Sequence, residues 1–244
     1  MIPSLKVDRL IVMQPKEQSF PSFDFEKEME RVKSFKEDLD KGKGWTEAFK
    51  GPGSAYWIKT FPHEEVPIKI LFTYDMPMPA EKFLQLLHPS TQENRHKWDD
   101  GFKDLETLEA YADGGFVTYM RAVTSWPLTD RSFVLFYSPI KEVDWYGKQA
   151  FVMIQKNATH SSKPEGEDGC IRAYNGGNFF VAVPDKDEPG ATCKVLGLTN
   201  NLYKGWLPNI EFLMGRIVPR AFNKLQENMI NGYKMLHAEE PNKI

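Results

Sequence analysis

Cysteine is scarce: Cys170 and Cys193 are the two in 244 residues. They fall on neighbouring expected strands, so a disulfide between them stays open, but two thiols in a chain this long fit a reducing compartment. Long apolar runs are missing, and nothing approaches the roughly 20 residues of a membrane-spanning helix, so any work at a membrane is expected from outside it. Residues 1–18 hold only the short run Leu10–Met13 where a signal peptide needs a longer apolar core, and the protein is expected to be cytoplasmic. The sequon Asn157-Ala158-Thr159 then has no glycosylation meaning. Charge of one sign is missing too. The net charge is −3 with both signs mixed along the chain, which leaves no basic stripe for nucleic acid. Lys and Arg recur at the mouths of expected elements, which suits brief contact with lipid headgroups and suits a solvated surface equally.

Motifs of metal and nucleotide chemistry are absent as well. His63, His88, His96, His160 and His237 are scattered, with no His-Glu-x-x-His and no Cys-x-x-Cys, so no metal is expected. There is no Gly-x-Ser-x-Gly elbow, and Gly42-Lys43-Gly44-Trp45 lacks the rest of a phosphate loop. No pair of acids is marked out for acid–base work, and no catalytic residue is assigned.

What is present is an apolar pattern at helical spacing, longest in residues 207–236. Ile210, Leu213, Met214, Ile217, Val218, Ala221, Leu225, Met229 and Leu236 fall on one side, with Arg216, Arg220, Asn223, Glu227 and Lys234 opposite. Pro208 suits a first turn, and Pro219 is expected to kink or loosen the helix. A second amphipathic helix opens at Asp24 and stops at Gly42. Between them, breakers separate strands at 44–51, 54–61, 66–76, 104–113, 114–126, 130–143, 148–159, 170–184 and 191–203; a short helix at 79–89 continues for another turn or two. Residues 1–22 read as an irregular arm, 23–238 as one domain and 239–244 as a tail. The order predicts an α+β fold in which an antiparallel sheet of about nine strands curls and is filled by the final helix.

Three separated motifs, in this order, resemble the START (StAR-related lipid-transfer) family over roughly residues 24–237. They are Arg95-His96-Lys97-Trp98-Asp99 with Leu105, Glu106 and Leu108; Trp126-Pro127-Leu128-Thr129-Asp130-Arg131-Ser132-Phe133; and Ile171-Arg172-Ala173 with Gly205-Trp206-Leu207-Pro208. The resemblance implies a helix-grip fold, a sheet wrapped around the C-terminal helix with a tunnel holding one lipid. It implies a lipid ligand and no other cofactor, membrane lipids as partners through transient contact, no catalysis, and a monomer.

The nearest branch transfers phosphatidylcholine, and its Arg-x-x-Trp-Asp pattern implies that Arg95, paired with Asp99, meets a lipid phosphate. An arginine fork matches phosphate oxygens; the alternative is a purely structural ion pair. Further headgroup contacts are expected from Met120, Phe133, Tyr137 and Tyr174. The choline-cage positions of that branch correspond to Met120, Phe133 and Gly176, of which one is aromatic, so choline selectivity is not expected. The acid and base of the sterol branch correspond to Met120 and Tyr137, which favours phospholipid over sterol, with ceramide between them. Ile210, Leu213, Met214, Ile217, Ala221 and Leu225 are the expected tunnel wall and lid. Trp126 and Trp206, each close to a proline, are the expected membrane-docking residues, since indole favours the interface; a buried structural role is the alternative. Two rivals remain: a grip-fold enzyme acting on a hydrophobic substrate, and a lipid sensor.

Overall fold

The computed structural model describes residues 16, 20, 23–124, 129–205 and 218–237. Helix α1 (Phe25–Asp40) begins where the Asp24 carboxylate accepts from the Lys27 N–H at 3.1 Å, with Glu26 and Glu28 in its first turn. Strands β1 (Thr46–Gly51), β2 (Ser54–Thr60) and β3 (Ile68–Met76) then pair as the expected antiparallel meander. Helix α2 (Ala80–Leu87) runs into a 3-10 helix (Pro89–Lys97), because Pro89 cannot supply the N–H that continuing α2 would need. The expected further helical turns are therefore 3-10 turns.

After them come β4 (Phe102–Ala110), β5 (Phe116–Ala122), β6 (Arg131–Tyr137), β7 (Lys141–Asp144) and β8 (Gln149–Asn157). The chain continues through β9 (Ile171–Arg172), β10 (Tyr174–Asn175), β11 (Asn178–Pro184), β12 (Cys193–Thr199) and β13 (Asn201–Leu202), then α3 (Val218–His237). The large sheet runs β1-β2-β3-β12-β11-β8-β6-β5-β4, with β7 beside β8 and β9 beside β6; β10 and β13 form a separate pair.

Among the described residues the nine expected strands become thirteen, for local reasons. The stretch 130–143 divides at Pro139: Ser138 donates its N–H to the Ile154 carbonyl and accepts the Ile154 N–H on Oγ, and β7 takes over along the same edge of β8. The stretch 170–184 breaks into β9, β10 and β11. Its first piece pairs in parallel with β6, and Gly177 turns the chain at φ +107. Both cysteines are free thiols, so no disulfide joins their strands. Of the expected long helix, Val218–His237 is described; residues 207–217, and with them the approach to Pro219, lie outside the described residues.

Strand alternation separates two apolar faces. Leu71, Phe179 and Val181 point to one side, against Met29 and Val32 of α1. Ile70, Phe72 and Tyr74 point to the other, against α2 and, on α3, Phe222, Leu225, Met229, Tyr233 and Leu236. The curled sheet thus grips α3 on its inner face. Asn223, expected on the polar side of the helix, instead accepts a hydrogen bond from the buried Tyr56 hydroxyl. From the arm, Lys16 bridges to Tyr111 and Phe20 stacks on Phe136 at 4.4 Å, on the outer face.

His88 sits at the junction of α2 and the 3-10 helix, where its Nδ1 meets Ser90 Oγ at 2.9 Å and its ring meets Phe116 edge to face. Burial holds its imidazole down from 6.5 to about 4. Because the folded state binds the proton less well than the unfolded chain, its contribution is complete above about 6.5 and is lost as pH falls toward 4. The expected loss is about 3 kcal/mol. Urea unfolding from pH 7 to 4 should therefore show a shallower decline for His88→Asn than for the wild type. Parallel declines would acquit His88.

Candidate functional site

Between the inner face and α3 lies a cavity of about 260 Å³. Its apolar wall includes Phe72, Leu87, Phe102, Leu135 and Phe180, with Ala221, Phe222 and Leu225 from α3. Into it faces Arg95, held at the end of the 3-10 helix and 6% exposed. Its Nε donates to one carboxylate oxygen of Asp99 at 3.0 Å and its Nη2 lies 2.9 Å from the same oxygen, and Asp99 is 3% exposed. Spacing of four on the winding chain puts the pair side by side. The Leu87 carbonyl accepts from Nη1 at 3.4 Å, and the guanidinium lies 4.6 Å from the Phe102 ring centroid and 5.4 Å from that of Trp98. So the cation is braced on three sides while remaining part of the cavity wall.

Met120, Phe133 and Tyr137 also line the cavity. Met120 and Phe133 are direct cross-strand partners, and the Tyr137 hydroxyl approaches Met120 Sδ at 3.7 Å. Burial raises the Tyr137 phenol, with the Arg95 charge partly opposing. Tyr174 does not join them. It lines a different cleft, with His160, Glu165 and Lys204. Side chains of an extended chain alternate, so with Ala173 buried in the inner core it is Asn175, one residue on, that reaches the cavity. Gly176, the supposed cage position, carries no wall: a Cβ there would stand 2.7 Å from the Asn200 side chain.

Ala221 and Leu225, two of the residues expected in the tunnel wall and lid, lie on the cavity wall. Ile210, Leu213, Met214, Ile217, Trp126 and Trp206 lie outside the described residues. The residues on either side of 125–128 are described. Asp130 accepts from the Thr124 N–H at 3.0 Å, Lys103 at 2.9 Å and Arg121 at 3.2 Å. Those bonds hold its carboxyl down at about 2. Arg131, 1% exposed, donates to the carbonyls of Thr129, Tyr203 and Lys204. Arg172 donates to Ser132 Oγ at 3.0 Å. The second and third motifs are thus bonded to each other across β6 and β9.

Sequence reasoning missed a group of neutral polar side chains, four amides and a hydroxyl. Gln155, Asn175, Asn178, Thr199 and Asn201 line the same cavity. Their signal was the density of asparagine in Tyr174-Asn175-Gly176-Gly177-Asn178 and Thr199-Asn200-Asn201, since asparagine is depleted in strands. Among the described residues no group of three or more His, Cys, Asp or Glu side chains is placed to hold a metal, and no described helix is long and apolar enough to cross a membrane.

Comparison with known proteins agrees with this architecture. A family profile described as START domain matches residues 26–230. The chain belongs to the START family. Among solved structures, this START chain is similar to human StAR-related lipid transfer protein 5, with TM-score 0.71 and 16% identity over 87% of this chain and 95% of that one. Human STARD10 aligns with TM-score 0.67 and 18% identity over 87% and 84% of the two chains. The lipid transfer and protein localization domain of human StarD13 (DLC2) gives 0.63 and 13% over 83% and 95%. At these identities the likeness is one of fold. No curated protein sequence matches the chain.

Proposed function

We propose that this START protein is a cytoplasmic carrier that binds one phospholipid between sheet and helix and shuttles it, as a monomer, between membranes. No bond is made or broken. The observation that carries the reading is the buried Arg95, paired with Asp99, on the wall of a largely apolar cavity. Aliphatic and aromatic walls suit acyl chains, at about 0.8 kcal/mol per buried CH₂. A charge-assisted guanidinium fork suits the phosphate. The names of the structural relatives, lipid transfer proteins, support the same reading.

The cavity volume supports a reading of how the lipid enters. About 260 Å³ falls below the roughly 300–1,000 Å³ of ordinary small-molecule pockets, so two acyl chains require α3 to move off the sheet. Such opening belongs to the microsecond-to-millisecond range. Trp126 and Trp206 would lower its barrier by inserting at the membrane interface.

Native mass spectrometry of protein purified from cells, with transfer of a fluorescent phospholipid between vesicles, tests the reading. One lipid per chain and measurable transfer are expected; an empty protein that moves no phospholipid would sink it. Trp126→Ala and Trp206→Ala should slow transfer several-fold while each variant still carries one lipid. A variant that purifies empty or unfolds readily would put its indole in the wall rather than at the membrane.

A further inference from the structure

On the inner face a row of polar side chains crosses several strands. Tyr137 on β6 is the register partner of Gln155 on β8, and Gln155 that of Asn178 on β11. All three line the cavity. With strands about 4.8 Å apart, the row runs roughly 10 Å away from Tyr137, whose phenol is close enough to Arg95 to feel its charge. A polar row of that length, set into an apolar wall, is about the size of a lipid headgroup.

At its far end stands Asn175, 1% exposed. Its Oδ1 accepts the N–H groups of Gly177 at 2.7 Å and Asn178 at 3.1 Å, which fixes oxygen and nitrogen in the amide. Its Nδ2 is therefore a true donor, and it has no partner among the described groups. Asn178 is oriented in the same way: its Oδ1 takes the Asn200 N–H at 2.7 Å, and its Nδ2 gives to Gln155 at 3.2 Å. Asn201, on the same cavity wall, has an unpartnered Oδ1. A buried amide without a partner costs about 1–3 kcal/mol, so a site with an open donor and an open acceptor favours a ligand that offers both. A phosphate oxygen only accepts, and a quaternary ammonium does neither. A hydroxyl does both.

We infer that the amide end of the cavity is a headgroup subsite selecting phospholipids with a hydroxyl-bearing headgroup, Asn175 donating to the hydroxyl and Asn201 accepting from it. This rests on the carrier reading above, with Arg95 taking the phosphate. The subsite adds a neutral, hydrogen-bonding requirement that Arg95 alone cannot impose.

The test is competition against a bound fluorescent phospholipid by three lipids with matched acyl chains. Phosphatidylglycerol offers phosphate and hydroxyls, phosphatidylmethanol has the same charge without hydroxyls, and diacylglycerol has a hydroxyl without phosphate. Phosphatidylglycerol is expected to compete about tenfold better than phosphatidylmethanol. Asn175→Ser keeps an acceptor for the Gly177 and Asn178 N–H groups, adds no charge and removes the amide Nδ2, so it should lower that ratio several-fold. Asn201→Ala, which leaves the Asn175 turn untouched, should reduce the ratio independently. Equal competition by the two phospholipids in wild-type protein would mean that the amides are satisfied by solvent, overturning the subsite and leaving the carrier reading intact. Diacylglycerol competing best would overturn it too, and displacement by none of the three would count against the carrier reading itself.

Discussion

Arg95→Ala is expected to lower phospholipid transfer by about tenfold to a hundredfold, with much smaller losses for ceramide or sterol, because only a phospholipid brings an anion to the guanidinium. Charge-assisted hydrogen bonds in a dry site contribute about 1.5–3 kcal/mol, which sets that range. The same change leaves Asp99, 3% exposed, without its Nε–H···O bond and without the ion pair to Nη2. Removing one member of a buried pair costs about 3–5 kcal/mol of stability, so the single variant mixes two effects. Arg95→Met combined with Asp99→Leu separates them. Replacing both charges by apolar groups of similar size can be nearly neutral for folding, so the double variant should fold well and still fail to select phospholipid. If it transfers phospholipid at the wild-type rate, Arg95 is only a brace for Asp99.

The other large effect is expected at Gly232, inside α3. A Cβ there would stand 2.6 Å from Cγ and Cδ2 of the Trp98 indole, atoms at the root of the ring rather than at a flexible tip. Trp98 follows the 3-10 helix and lies between Arg95 and Asp99 in sequence, so it cannot retreat without moving the ion pair. Gly232→Val should therefore cost about 1–3 kcal/mol by overpacking and weaken phospholipid binding with it. Gly232→Ala makes a sharper test of sign. In an open helix that change stabilises by about 1 kcal/mol, and here the gain should be cancelled or reversed. Thermal unfolding of both variants, alone and combined with Trp98→Leu, decides the matter. A stabilised Gly232→Ala protein would show that Trp98 and α3 are not in the contact described.

Legibility followed the range of the interactions involved. The alternating apolar residues of β2, β3 and β8 and the capped, 3.6-period pattern of α1 are local, and their elements were placed within a few residues. The splits at Pro139 and at Gly176-Gly177 were marked by residues that break ladders, yet where the pieces went was not: β9 turned to β6 in parallel and β10 to β13. Pairing partners distant in sequence leave no periodic trace. Of the residues proposed to meet a headgroup, Arg95, Met120, Phe133 and Tyr137 on the cavity wall, with Asp99 beside Arg95, could be named through a resemblance, whereas Tyr174 was one residue out of phase with the wall. In extended chain a slip of one exchanges the two faces.

By itself the sequence determined the class of the fold, the greasy face of the last helix, the scarcity of chemistry for metals or nucleotides, and the motifs of the START family. Each is carried by residue type and short spacing. Only the tertiary structure decided that Asn175, Asn178 and Gln155, from three separate strands, stand with Arg95 around one cavity, and that Trp98 rests on Gly232. Burial and orientation belong to the assembled sheet and helix, since the amide that stays solvated on one strand face becomes an unpartnered donor in a closed wall on the other.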